Sequence, residues 1–358
     1  MNDFLTAAPR VALTFAISAL CGLAGHYAGL PAGMLVGAAM GVAAAAIAGL
    51  PVVLPAALRN ATFLLVGMSM GAAVAPDSLS LVAQWPVSIA GLALELILII
   101  SITGWMLTRF FGLDAGTAYM SSFPGHLSFV MSIASAGVGE PRQIIMIQVI
   151  RLLMLTIAVP IGALFLPIGE SIEAVAAAPK VLDPLGIALL AAACVAVSLV
   201  FEKLSIPAGF VLGSMAAATV GKLAGLYDAV LPEPMVMVTF IAIGALIGVR
   251  FVGMTWDEFK RIAFGGLIAT LITVGITTTI SALISLWVDM PFGQIWLGLS
   301  PGGLEAMGAL TLALGYDTAF VAAHHVLRLL MLSFAIPGVV VLIRRQMRRE
   351  LAGTPPQS

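Results

Sequence analysis

The feature that most restricts this chain is a segment that occurs in it twice. A shift of 177 residues places Pro124-Gly125 on Pro301-Gly302 and Leu127 on Leu304. The same shift places Arg151-Leu152-Leu153-Met154-Leu155 on Arg328-Leu329-Leu330-Met331-Leu332, and Pro160 on Pro337. Twelve of the 37 positions from 124 to 160 are identical, with no gap. Each copy reads as a small polar segment interrupted at Pro-Gly, a second short helix, and a long apolar helix carrying one interior arginine. A helix break and an interior charge are both costly in hydrocarbon. Their joint recurrence in register marks a duplicated unit.

Composition says which solvent that unit meets. Of 358 residues, 61% are apolar and 9% are charged, against about 25% charged in a soluble domain. Such a chain cannot cover a water-facing surface, so it is an integral membrane protein. A net charge of -1 gives no general attraction to nucleic acid. Cys21 and Cys194 both lie in apolar stretches and read as core thiols rather than a disulfide. The helix after Arg10 has a counterpart near the start of the second half, so it is expected to stay in place and not act as a cleaved signal.

The apolar segments fall into two sets, each of five long spans and one broken one. They lie near 9–28, 31–49, 58–75, 86–111, 114–136 (broken) and 142–166, then near 183–204, 207–227, 235–253, 260–288, 291–314 (broken) and 318–343. The implied division is a first membrane repeat 1–166, a linker 167–183, a second repeat 184–343 and a frayed cytoplasmic tail 344–358. The duplication extends further: Pro31-Ala32-Gly33 matches Pro207-Ala208-Gly209 at a shift of 176, and Gly67 and Gly71 match Gly244 and Gly248 at 177. Small residues four apart allow close helix approach, and these faces are expected to pack within the chain.

Basic residues select the topology. If each broken segment enters and returns on one side, every half has five crossings and the halves are inverted. The cytoplasmic side then holds twelve of the Lys and Arg residues and the far side only Lys180 and Lys222, with Arg151 and Arg328 in the membrane. If the broken segments cross, the split falls to nine against five. The expected fold is therefore all-α, with two inverted repeats of about five transmembrane helices, each with one re-entrant or broken helical hairpin. Both termini are placed in the cytoplasm of a bacterial inner membrane.

In this arrangement two hairpin tips, Ser122-Phe123-Pro124-Gly125-His126 and Ser300-Pro301-Gly302-Gly303, meet at mid-membrane. Ser300 and Pro301 read as an N-cap and first-turn pair. Interrupted helices at the junction of inverted repeats are the usual substrate site of secondary transporters. Arg151 and Arg328 are candidates to clamp an anion; a structural salt bridge, with Glu95 as partner, is the competing reading. Asp317, His324 and Arg328, at i, i+7 and i+11, share a helix face and suggest a polar path. Glu305 replaces Ser128 just past the second tip, and Glu95 is matched by Ile272; both are candidates for proton or cation coupling. Asp317, His324 and His325 join them as coupling candidates, and the two histidines, being neighbours on the helix, are a poor geometry for one metal. No metal-binding spacing or nucleotide loop occurs, so no cofactor, no metal and no enzymatic activity are expected.

The pattern Pro-Gly-Gly-Leu-Glu, Gly-Tyr-Asp and Val-Ala-Ala-His-His-Val-Leu-Arg-Leu in the second copy resembles the bacterial membrane AbrB-duplication family. The resemblance covers essentially the whole chain. The first copy departs from it, with Ser-Phe-Pro-Gly-His at its tip and Gln148 where the second has His325. The family carries two labels, regulator of gene expression and ammonia monooxygenase, and neither follows from these residues. Transport of a small anionic or amphiphilic substrate leads. A membrane sensor acting indirectly on transcription is the alternative, and four scattered histidines make a monooxygenase the weakest reading. The implied partners are a small-molecule anion and the lipid bilayer, with no nucleic acid and with room for a homo-oligomer.

Overall fold

A computed structural model of the protein describes residues 2–74, 85–125, 127–163, 180–206 and 208–353. These form seven helices in each half: α1 Asn2–Tyr27, α2 Gly33–Ile47, α3 Ala56–Ala72, α4 Trp85–Phe111, α5 Ala115–Ser122, α6 Leu127–Ser135 and α7 Pro141–Ala163, then α8 Pro184–Lys203, α9 Gly209–Leu223, α10 Glu233–Gly248, α11 Trp256–Ser285, α12 Phe292–Leu299, α13 Leu304–Ala313 and α14 Thr318–Gly353. Each helix in the second half has its counterpart seven places earlier. Seven helices (α1, α4, α7, α8, α10, α11 and α14) are long and apolar enough to cross a membrane, and the protein is a multi-pass membrane protein. The other three expected crossings are shorter. Helices α2 and α9 have 15 residues and α3 has 17, which is about 23–26 Å at 1.5 Å per residue. Helix α14 runs on to Gly353, so residues 344–353 continue a helix where a frayed tail was expected. Residues 164–179, which take in most of the linker 167–183, lie outside the described residues.

Local chemistry sets many of the ends. Asp114 caps α5 by accepting from Thr117 N at 2.9 Å, and Asp183 caps α8 by accepting from Gly186 N at 3.0 Å. Thr255 and Glu258 form a capping box at α11. Ala32 and Ala208 precede α2 and α9 with φ of 48° and 56°, so the duplicated Pro-Ala-Gly motif places a non-glycine residue in the left-handed region twice.

The helices sort into two groups. Helices α1–α3 and α8–α10 form a scaffold in which the halves interlock: α3 packs on α9, and α10 on α2. A Cβ on Gly67 would stand 2.1 Å from Val211 O, and one on Gly244 2.3 Å from Ala38 Cβ. The small-residue faces are thus used inside the chain. Helices α4–α7 and α11–α14 form the second group, with α4 against α11, α7 against α11, and α12 against α14.

Both interrupted segments are hairpins. Helices α5 and α6 have 8 and 9 residues, α12 and α13 have 8 and 10, each too short to span ~30 Å. The chain leaves each hairpin where it entered. Glu140 N, beyond α6, donates to Thr117 Oγ1 in the first turn of α5 at 2.8 Å. In the second half a Cβ on Gly293, at the start of α12, would stand 2.1 Å from the Tyr316 hydroxyl beyond α13. The counterparts α4 and α11 cross antiparallel: Gly91 meets Ile284, Glu95 meets Thr277, and Phe111 meets Gly265.

Candidate functional site

Each long helix after a hairpin holds that hairpin's break. In the first half Arg151 Nη1 donates to Ser121 O and Ser122 O, both at 3.1 Å, and its Nη2 donates to Phe123 O at 2.7 Å. One turn earlier, Gln148 Nε2 donates to Met120 O at 3.1 Å. In the second half Arg328 donates to Ser300 O at 2.8 Å and Gly302 O at 2.7 Å, and His325 Nε2 bonds Leu297 O at 3.2 Å. Leu297 and Ser300 are the 177-residue counterparts of Met120 and Phe123. The carbonyls at a helix C-terminus have no partner within the helix and carry partial negative charge. A buried guanidinium supplies both the donors and the opposite sign.

This contact fixes the His325 tautomer. Arg328 Nη2 lies 2.8 Å from His325 Nδ1, and a guanidinium only donates. Nδ1 therefore accepts, and the proton sits on Nε2, facing Leu297 O.

Between the two tips lies a cavity of about 210 Å³. Gly125 faces it from the first tip and Pro301, Gly302 and Gly303 from the second. Its polar wall is Gln148, Arg151, His325, Arg328, Glu305 and Arg250. Arg250 Nη2 and Glu305 Oε1 are 2.7 Å apart, a pair that joins the scaffold group to the hairpin group. Gly303 is the N-cap of α13 and offers no side-chain cap, so the first N–H groups of α13 open beside the cavity. A wider space of about 790 Å³, bordered by Arg59, Glu202 and Arg250, shares Leu127, Val149, Ala208 and Arg250 with the cavity and adjoins it.

The residues singled out in the sequence separate into two sets. Arg151, Arg328, Gly125, Gly302, Gly303, Glu305 and His325 come together around the cavity. Ser122 and Ser300 take part through carbonyls that accept from the arginines. Pro124 is buried in the first tip behind them, and His126 lies outside the described residues. Ser300 is the C-cap of α12, not the N-cap of α13, because the break carries Gly302 and Gly303 before the next helix starts. Glu95 makes no salt bridge with either arginine; it accepts from Thr277 Oγ1. Asp317, His324 and Arg328 do not form one path, because each turns to a different element. Asp317 Oδ1 accepts from Ala319 N at 2.8 Å, and His324 bonds Phe320 O at 2.9 Å and Ser88 Oγ of α4 at 2.7 Å. Among the described residues no group of three or more His, Cys, Asp or Glu is placed to hold a metal ion.

The family model described as "Transition state regulatory protein AbrB" matches residues 34–344. The chain belongs to the AbrB family. The match takes in both hairpins and every residue of the cavity wall. Among curated AbrB-like relatives, Putative regulator AbrB of Escherichia coli (strain K12) is 25% identical over 317 residues, 88% of this chain and 90% of that protein. Uncharacterized protein YhjN of Bacillus subtilis (strain 168) is 24% identical over 295 residues, 76% of this chain and 75% of that protein.

Sequence reasoning left two residues of this AbrB-family cavity unassigned. Arg250 read as one of many positive-inside charges, and only its contact with Glu305 places it at the mouth. Gln148 was visible solely as the counterpart of His325. Its role follows once both are seen to bond equivalent carbonyls.

Proposed function

We propose that this AbrB-family protein is a secondary transporter of a small anion. In this reading the halves are inverted repeats in a bacterial inner membrane, both termini are cytoplasmic, and the hairpins re-enter from opposite faces. The observation that carries it is the cavity between the hairpin tips, walled by three arginines and bordered by the open N-terminus of α13. Such a wall attracts an anion and gives it donors. A volume of about 210 Å³ suits a solute of a few heavy atoms, well below the roughly 300–1,000 Å³ of drug-sized pockets. The antiparallel crossing of α4 and α11 supports inversion, since parallel halves would align these counterparts. The gathering of Arg59, Arg142 and Arg250 near Glu202, Glu258 and Gly253 supports one basic end.

The two helix groups suit a division into frame and carrier. The Arg250–Glu305 pair then acts as a latch at their boundary, on the side of the wider space. A second reading, a sensor that binds the same anion without moving it, is favoured by the regulator names of the family description and of the Escherichia coli relative.

Flux decides between them. Purified protein in proteoliposomes is expected to take up a small carboxylate or inorganic anion under an ion gradient, and Arg328→Ala is expected to abolish uptake. Ligand-induced thermal stabilisation with no flux would overturn transport and leave sensing.

A further inference from the structure

Glu95 is fully buried in α4, and in the first half it is the one acid set among apolar neighbours deep in a span. Its Oε1 accepts from Thr277 Oγ1, while its Oε2 has no partner. The facing stripe of α11 is Thr270, Thr273, Thr277 and Ser281, all buried, at helical spacing on one side. The hydroxyls of Thr273 and Ser281, and of Thr103 on α4, also have no partner. The polar groups of the seam between α4 and α11 are thus all oxygens, the donor set that a proton or a hard monovalent cation takes, and Ile280 and Ile284 close it toward Gly91. Its counterpart positions are apolar or glycine: Ile272, Leu96, Ile100 and Gly104.

The seam also reaches the anion site. Helices α4 and α14 run parallel, Trp85 meeting Phe320 and Ser88 meeting His324. Glu95 lies seven residues beyond Ser88 and Arg328 four beyond His324, so their heights differ by about 4.5 Å at 1.5 Å per residue. Glu305 shares the cavity wall with Arg328, and Arg328 Nε is buried without a partner. Arg328 therefore stands between a closed acid and a cavity acid.

Resting on the transport reading, we infer that Glu95 binds the coupling cation, a proton or a sodium ion, and that Arg328 passes its charge state to the anion cavity. An ionised, empty Glu95 offsets the positive charge of Arg328 and weakens the cavity's hold on an anion. A loaded Glu95 is neutral overall, and Arg328 then presents its full charge to the cavity. Cation and anion bind with mutual reinforcement, as symport requires, and linkage makes the effect equal in both directions. Among the described residues, α14 brings the titratable His324, bonded to Ser88 of α4, and Arg328 to this side of α4, and the α11 stripe contributes hydroxyls. No covalent step is involved. A proton or sodium ion enters and leaves.

Infrared difference spectroscopy on the full-length protein in lipid tests this without knowledge of the substrate. Spectra are taken between about pH 5 and about pH 9, and at fixed pH with NaCl exchanged for choline chloride at constant ionic strength. A buried carboxylic acid band that fades as pH rises, is absent in Glu95→Gln, persists in Glu305→Gln and shifts in Thr277→Val identifies the proton. A carboxyl band of Glu95 that responds to sodium at fixed pH identifies sodium. A Glu95 signal that stays constant across both series overturns the site. In Arg328→Lys and Arg328→Gln the Glu95 response is expected to change, most in the latter; an unchanged response overturns the coupling. If the Glu95 signal behaves as expected but no anion flux is found, the transport reading fails and the cation site stands.

Discussion

The two hairpin tips are built alike and equipped differently. In both, a residue pair on the following long helix, Gln148 with Arg151 or His325 with Arg328, bonds counterpart carbonyls of the preceding short helix. What differs is everything else that carries charge. Glu305 faces Ser128 across the duplication, Arg250 faces Ala73, and His325 faces Gln148. The clamp is an architectural need that any interrupted helix in a membrane must meet. The additional charges are not needed for that, since the first half folds the same hairpin without them. The chemistry of the cavity is thus concentrated in the second tip.

The largest expected effect probes what the tips share. Arg151→Ala and Arg328→Ala each leave buried carbonyls without donors and should cost about 3–5 kcal/mol in detergent unfolding. Lysine keeps the charge and loses the fork. In that background the tips should part: flux is expected to fall at least about tenfold in Arg328→Lys and by less than about threefold in Arg151→Lys. Equal losses would remove the functional distinction between the tips.

The glycines come next. Gly125 holds φ of +112°, so Gly125→Ala should cost about 1–3 kcal/mol in thermal stability. A Cβ on Gly302 would come nearest the unbranched side chain of Met307, 2.5 Å from its Cε and 2.7 Å from its Cγ. Gly302→Ala is expected to cost about 1 kcal/mol or less by the same measurement.

Smaller still are the changes confined to the second tip. His325→Gln installs the residue that already works at Gln148. Its amide can donate to Leu297 O, and unfolding should move by less than about 1 kcal/mol. If imidazole matters to the cavity beyond holding that carbonyl, flux will drop while stability stays. Glu305→Gln breaks a pair with side chains 13% and 30% exposed, so it should change stability by under about 1 kcal/mol. Flux is expected to fall about tenfold, whereas Ser128→Ala should leave it unchanged.

Much of this was legible in the chain itself. Two breaks at Pro-Gly, each followed by an interior arginine, are hard to place in a membrane except as paired hairpins with their charges inside. Arg151, Arg328, Gly125, Gly302 and Gly303 are read as a binding set on that ground, Glu305 and His325 as coupling candidates, and all seven line one cavity. The stripe from Asp317 through His324 misled, because shared azimuth on a helix does not say which neighbour each side chain meets. Asp317 caps its own helix, and His324 turns to Ser88. Ser300 misled for a related reason: Ser-Pro fits a helix start, but two glycines after it delay the next helix to Leu304.

The sequence alone determined that this is a duplicated, multi-pass, all-helical membrane protein with two broken segments, because hydrocarbon tolerates breaks and charges only inside protein. It also determined which helix bears each buried arginine. Tertiary structure decided what those arginines touch, that Arg250 meets Glu305 across the two helix groups, and that Glu95 faces the hydroxyls of α11 within about one helical turn of the height of Arg328. Periodicity fixes the face of a residue along its own helix. The partner of that face depends on how separate helices cross, and the chain does not encode that locally.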